Sequence, residues 1–103
     1  MTWVGRQIMS DLKEKLTENL DEAEWEWLVP HAQRDAIIVV ASGLDLLDVG
    51  EAIASDNTQS VGVWIDEQLI SKPSPIQLGD WNGNPTKRFN ALIIEPYVLI
   101  QEK

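Results

Sequence analysis

The sequence predicts an α+β domain, several short helices packed on a small mixed sheet with strands from residues 36–41 and 91–101. Three observations carry this. Ala36-Ile37-Ile38-Val39-Val40-Ala41 is a β-branched apolar run too short for a helix of its own, which reads as a buried central strand. Upstream of it, Leu12, Leu16, Leu20, Ala23 and Trp27 recur at steps of three and four, the spacing of one helix face. At the other end, Ala91-Leu92-Ile93-Ile94-Glu95 and Tyr97-Val98-Leu99-Ile100-Gln101 are strand-like runs separated only by Glu95-Pro96.

Ser10 and Asp11 are suited to cap the first helix, and Glu14 adds charge near its positive end. Asp21 followed by Glu24 repeats a capping pattern, so a break near Asn19 to Asp21 would divide this stretch into two helices, with Pro30 as the stop. Ser42-Gly43 closes the first strand. Asp45 opens a helix that turns Leu46, Val49 and Ile53 toward the sheet and Asp45, Asp48 and Glu51 outward. Asp56-Asn57 ends it, and Thr58 is placed to cap a third helix carrying Val61, Trp64 and Ile65, whose interior Gly62 suggests close packing. Ser74-Pro75 reads as cap and first residue of a short helix with Ile76, Leu78 and Trp81. For residues 91–101 we favour one long strand bent at Pro96 over two strands, because neither Glu95 nor Pro96 offers the positive φ that a common two-residue hairpin loop requires.

The 103 residues fit one domain. Residues 10–103 form it, and residues 1–9 read as a flexible N-terminal arm or an alternative start, since Met9 precedes the strong helix opening Ser10-Asp11-Leu12-Lys13. Seventeen Asp and Glu against eight Lys and Arg leave a net charge of −9, which repels a phosphate backbone and argues against nucleic acid. No apolar stretch approaches the ~20 residues that span a bilayer, and the start lacks a secretory signal, so a cytoplasmic protein with no membrane contact is expected. With no cysteine there are no disulfides, thiolate metal sites or cysteine nucleophiles.

The only histidine, His31, lies four residues from Asp35, a pair that would suit a base or half a metal site. A hydrogen-bonding role at a helix-strand junction is the better reading. Asp45, Asp48 and Glu51 form a carboxylate ladder, but without the glycine and ligand alternation of a calcium loop it reads as a solvated face, and no metal or cofactor is expected. Tryptophan is the unusual feature, with five in the chain. Trp27 and Trp64 fall on apolar faces and are assigned to the core. Trp25, between Glu24 and Glu26, cannot share a face with Trp27. Trp25 and Trp81, together with Tyr97 and Leu99 of the last strand, are therefore the candidate contact residues, and acidic neighbours suit a basic partner.

Glu26-Trp27-Leu28-Val29-Pro30-His31-Ala32-Gln33-Arg34-Asp35, Gly43-Leu44-Asp45-Leu46-Leu47-Asp48-Val49, Asp56 with Trp64, and Ile94-Glu95-Pro96-Tyr97-Val98-Leu99-Ile100-Gln101 carry a resemblance to a family. Over residues 10–102 the chain resembles the short bacterial proteins, frequent in cyanobacteria, grouped as domain of unknown function 2288. The resemblance implies no catalytic residue. It suggests a small helper protein, with carboxysome assembly as one setting. The function expected is a non-enzymatic protein-binding module, an assembly factor or small chaperone that grips a partner protein or peptide, in part through a free strand edge near Pro96. The alternative is a small enzyme or small-ligand binder using His31, Arg34 and Asp35. Eight apolar positions in residues 91–101 are more than a sheet with helices on one side can hide, so a homodimer is also expected.

Overall fold

The structure, a computed structural model, describes residues 15–103. The expectations for residues 1–9 and for the cap at Ser10 and Asp11 lie outside the described residues. Residues 15–18 are helical and lead into strand β1 (Leu20–Glu24) and helix α1 (Trp25–Gln33). Then follow β2 (Ile37–Val40), α2 (Leu46–Ala54), α3 (Thr58–Asp66), β3 (Ile70–Ser71), α4 (Pro75–Asn82), β4 (Arg88–Ile94) and β5 (Tyr97–Glu102). The strands form one mixed sheet in the order β1-β4-β5-β2-β3, parallel only between β2 and β5. The α+β class holds.

Two strands replace the single bent strand expected over residues 91–101. Ile94 pairs with Tyr97, so the chain reverses within Glu95-Pro96. The peptide between them is cis, the arrangement that defines a type VI turn and that involves no positive φ. The reversal puts β5 between β4 and β2, inside the sheet.

Leu20–Glu24 is a strand although its apolar spacing is helical. Its five residues run along β4, with Leu20 opposite Leu92 and Ala23 opposite Phe89, and so supply partners to backbone groups of β4 that would otherwise lack them. Tertiary pairing overrides the local pattern. Helix α1 begins one residue later, where Trp25 N–H donates to Lys87 O at 2.8 Å and Glu26 N–H to Pro85 O at 3.0 Å. From this start the buried face is Trp25, Leu28, Val29 and Ala32. Residues two apart lie about 200° apart on a helix, so Trp27 is turned outward. Pro30 does not stop this helix; it lies inside it, on the exposed side, where its ring costs one intrahelical hydrogen bond.

Apolar side chains lie on both faces of the sheet, and helices cover both. On one face Leu92, Ile94, Leu99 and Val40 pack with Leu46 and Val49 of α2 and with Leu16. On the other, Phe89, Ala91, Val98, Ile100 and Ile37 pack with Trp25 and Leu28 of α1 and Trp81 of α4. The apolar surplus that argued for a homodimer is thus mostly covered by the chain itself, with Ile93 and Tyr97 the exceptions.

The expected caps are close to those found. The Asp45 carboxylate accepts from Leu47 N–H at 2.9 Å, and Ser74 with Gln77 closes a capping box on α4. Asn57 takes the place expected of Thr58, accepting from Ser60 N–H at 3.2 Å. Gln101, half-buried on β5, donates through Nε2 to Ala41 O and Leu44 O, both at 2.7 Å, and so fixes the connection from β2 to α2.

The close approach expected at Gly62 occurs instead at Gly50, where a Cβ would overlap the fully buried Leu92 side chain; at Gly62 a Cβ would meet nothing within 4 Å. Gly50→Ala should therefore lower stability by about 1 kcal/mol, overpacking outweighing the helix-propensity gain. Gly62→Ala should raise stability by about 0.5–1 kcal/mol. Urea midpoints of the two variants against the native chain check both signs.

At the edge of the sheet, Glu22 of β1 accepts from the Lys103 ammonium and from Arg88 Nη1, the latter at 3.1 Å. The hydrogen bond from Lys103 first, and that from Arg88 next, hold its carboxyl below the ordinary glutamate value of 4.5. Because the folded value is the lower one, the contribution of this contact is complete above the unfolded value and is lost as pH falls through the folded value. Glu22→Gln should flatten the pH dependence of stability in that acid window, and a carboxyl titration by NMR should place the native Glu22 midpoint below 4.5.

Candidate functional site

Helix α3 differs from the other helices in burying none of its residues. It stands off the sheet on the side of α2 and leaves an open groove of about 670 Å³. The floor and walls are apolar: Ile38 of β2, Ile70 of β3, Ala52 and Ile53 of α2, and Val61, Gly62 and Ile65 of α3. The rim is polar, formed by Asp35, Asp56, Asn57, Thr58, Gln68, Ser71, Lys72 and Tyr97. A mostly apolar concavity of this size with a few polar groups at its mouth has the character of a binding site.

The rim is built by three helix ends of one kind. Asp35, Asp56 and Gln68 follow α1, α2 and α3 and have φ of 60°, 59° and 61°, the only non-glycine left-handed residues among those described. Each end closes with the same pair of bonds. Asp35 N–H donates to Ala32 O (3.0 Å) and Ala36 N–H to His31 O (3.0 Å). Asp56 N–H donates to Ile53 O (3.2 Å) and Asn57 N–H to Ala52 O (2.8 Å), while Gln68 N–H donates to Ile65 O (3.0 Å) and Leu69 N–H to Trp64 O (2.8 Å). This is the Schellman motif, whose left-handed position is usually glycine. Here none of the three is, and all three line the groove.

Of the four contact residues expected from sequence, the groove receives one. Tyr97 is 41% exposed at its mouth. Trp25, Trp81 and Leu99 are 1%, 3% and 0% exposed and belong to the core, so they are not available as a contact surface. Trp25 and Trp81 lie 5.0 Å apart and pack on Phe89, with ring centroids 6.0 Å and 4.9 Å away. Their polar ends are satisfied, Trp25 Nε1 donating to Asn82 Oδ1 at 2.8 Å and Trp81 Nε1 to Glu102 Oε1 at 3.3 Å. Trp27, expected in the core, is 60% exposed. Trp64, also expected in the core, is half-buried and packs against its margin. The free strand edge expected near Pro96 is absent, because β4 and β5 are both interior strands.

The residues of the small-enzyme alternative do not converge. Arg34 Nη2 donates to Nδ1 of His31 at 2.6 Å, whereas the Asp35 carboxylate is ion-paired with Lys72 on the rim. His31 does not line the groove. In the carboxylate ladder Asp45 serves as a cap, and among the described residues no three His, Asp or Glu side chains gather as a metal site. No described helix is long and apolar enough to cross a membrane.

The class this defines is an α+β protein with helices on both sheet faces and one apolar groove beneath a raised helix. The chain belongs to the family described as Protein of unknown function (DUF2288), whose model matches residues 11–102. It is similar to PA1075 from Pseudomonas aeruginosa, known from a solution NMR structure. The two are 32% identical with a TM-score of 0.76, over 91% of this chain and 86% of that one. No curated protein matches the chain.

If the left-handed positions are set by something other than folding, they should be improvable. Gln68→Gly should raise stability by about 0.5–1 kcal/mol by removing the left-handed penalty of a long side chain. A lowered thermal midpoint would show that the Gln68 side chain stabilises the fold.

Proposed function

We propose that this protein is a non-enzymatic binding module, an assembly factor or small chaperone, that receives apolar side chains of a partner protein in the groove between α3 and the sheet. The observation that supports it is a helix that buries none of its residues yet forms the wall of a mostly apolar concavity. Ile65, on the wall of the groove, is 55% exposed, and exposed apolar surface in a concavity of this kind marks interaction sites. The scaffold beneath is rigid, since the floor residues sit on paired strands.

The same volume would also admit one small molecule, which is the second reading. A photo-crosslinking residue placed at position 65 or, as a control, at Ile76 on α4 separates the two in the native cell. One protein should be captured from position 65 and not from position 76. Equal capture at both positions overturns the proposal, and a stoichiometric small molecule co-purifying with the chain replaces it with the second reading.

A further inference from the structure

We propose that the occupant of the groove is a short amphipathic peptide segment bearing a lysine or arginine, with its cation set against Asp56. The inference rests on the reading of the groove as a partner-binding site and adds the chemistry of the partner.

The space itself is reserved from within. Gly62 costs α3 about 1 kcal/mol of helix propensity, and among the described residues no atom lies within 4 Å of where its Cβ would stand. That room faces the groove.

The rim then selects the charge. It carries two carboxylates, Asp35 and Asp56, and one ammonium, Lys72. Lys72 is already held by Asp35. At Asp56 the backbone is fully engaged, its N–H donating to Ile53 O and its C=O accepting from Thr58 N–H at 2.9 Å. No described residue pairs with its carboxylate. Three nine-residue helices, α1, α2 and α3, also end at this rim, and each carboxyl end carries roughly half a negative charge. An anionic occupant would bring its charge to Asp56 and to three negative helix ends, in a chain of net charge −9. A cationic occupant finds complementary charge at each of them, while its apolar side chains meet Ile38, Ile53, Val61, Ile65 and Ile70.

Two synthetic 14-residue amphipathic peptides test this, one with leucine on one face and lysine on the other, the second with glutamate replacing lysine, each titrated with the full chain by fluorescence anisotropy. The lysine peptide should bind at least tenfold more tightly than the glutamate peptide. Asp56→Asn keeps a residue tolerated at positive φ and should weaken the lysine peptide about tenfold. Asp80→Asn on α4, beneath the opposite face, should change it less than twofold. Gly62→Leu and, separately, Ile65→Glu should abolish binding, with circular dichroism confirming the fold of each. If both groove variants abolish binding but Asp56→Asn and Asp80→Asn act alike, the cation assignment falls and the groove stands. If neither groove variant matters, the peptide is drawn by net charge alone and both readings fall. No binding of the lysine peptide to the native chain overturns the assignment.

Discussion

The constraint on which the structure depends is that the β4–β5 hairpin is apolar on both faces. Phe89, Ala91, Val98 and Ile100 point one way and Leu92, Ile94 and Leu99 the other. A sheet of this kind cannot leave either side to water, so the helices must divide between its faces. The two coverings are made differently. Beneath α1 and α4, three large rings, Trp25, Trp81 and Phe89, fill the space in tilted and edge-to-face contacts. Beneath α2 the covering is aliphatic and close, and Gly50 lets the helix backbone approach Leu92.

Local chemistry was legible where a residue acts on its own neighbours. The run at 36–41, the Asp45 cap and the Ser74-Pro75 start each carry their instruction within a few residues, and each is found within a residue or so. What was not legible depends on distant partners. Leu20–Glu24 has helical spacing and becomes a strand because β4 lies alongside it. The phase of α1 is set by bonds from Trp25 and Glu26 to the segment before β4, and a phase error exchanges the roles of Trp25 and Trp27. The hairpin at Glu95-Pro96 turns through a cis peptide with no positive φ, so the residues that mark the common two-residue loops are absent there.

The groove was hidden for a related reason. Three helices end in left-handed residues, and the usual sign of such an end is glycine. With Asp35, Asp56 and Gln68 in those places, only the end at Asp56-Asn57 is written in the local sequence, and the meeting of the three ends at one rim is not. The faint signal was Gly62, a helix-weakening residue read as a packing device. The two faces of the sheet thereby differ in their cover: on the aromatic side Trp25, Trp81 and Phe89 are buried, whereas on the aliphatic side α3 leans on the core through Val61 and Trp64 without burying either.

The two outer strands deal with a hazard common to open sheets, lateral growth by pairing with another chain. On one side β3 is only two residues long and offers little to copy. On the other, β1 carries Asp21, Glu22 and Glu24 in five residues, and the Asp21 side chain accepts the Glu22 N–H at 2.8 Å. A foreign strand arriving there would have to displace that bond and strip water from three carboxylates. Among the described residues, lateral pairing is thus opposed by chemistry on one margin and by brevity on the other.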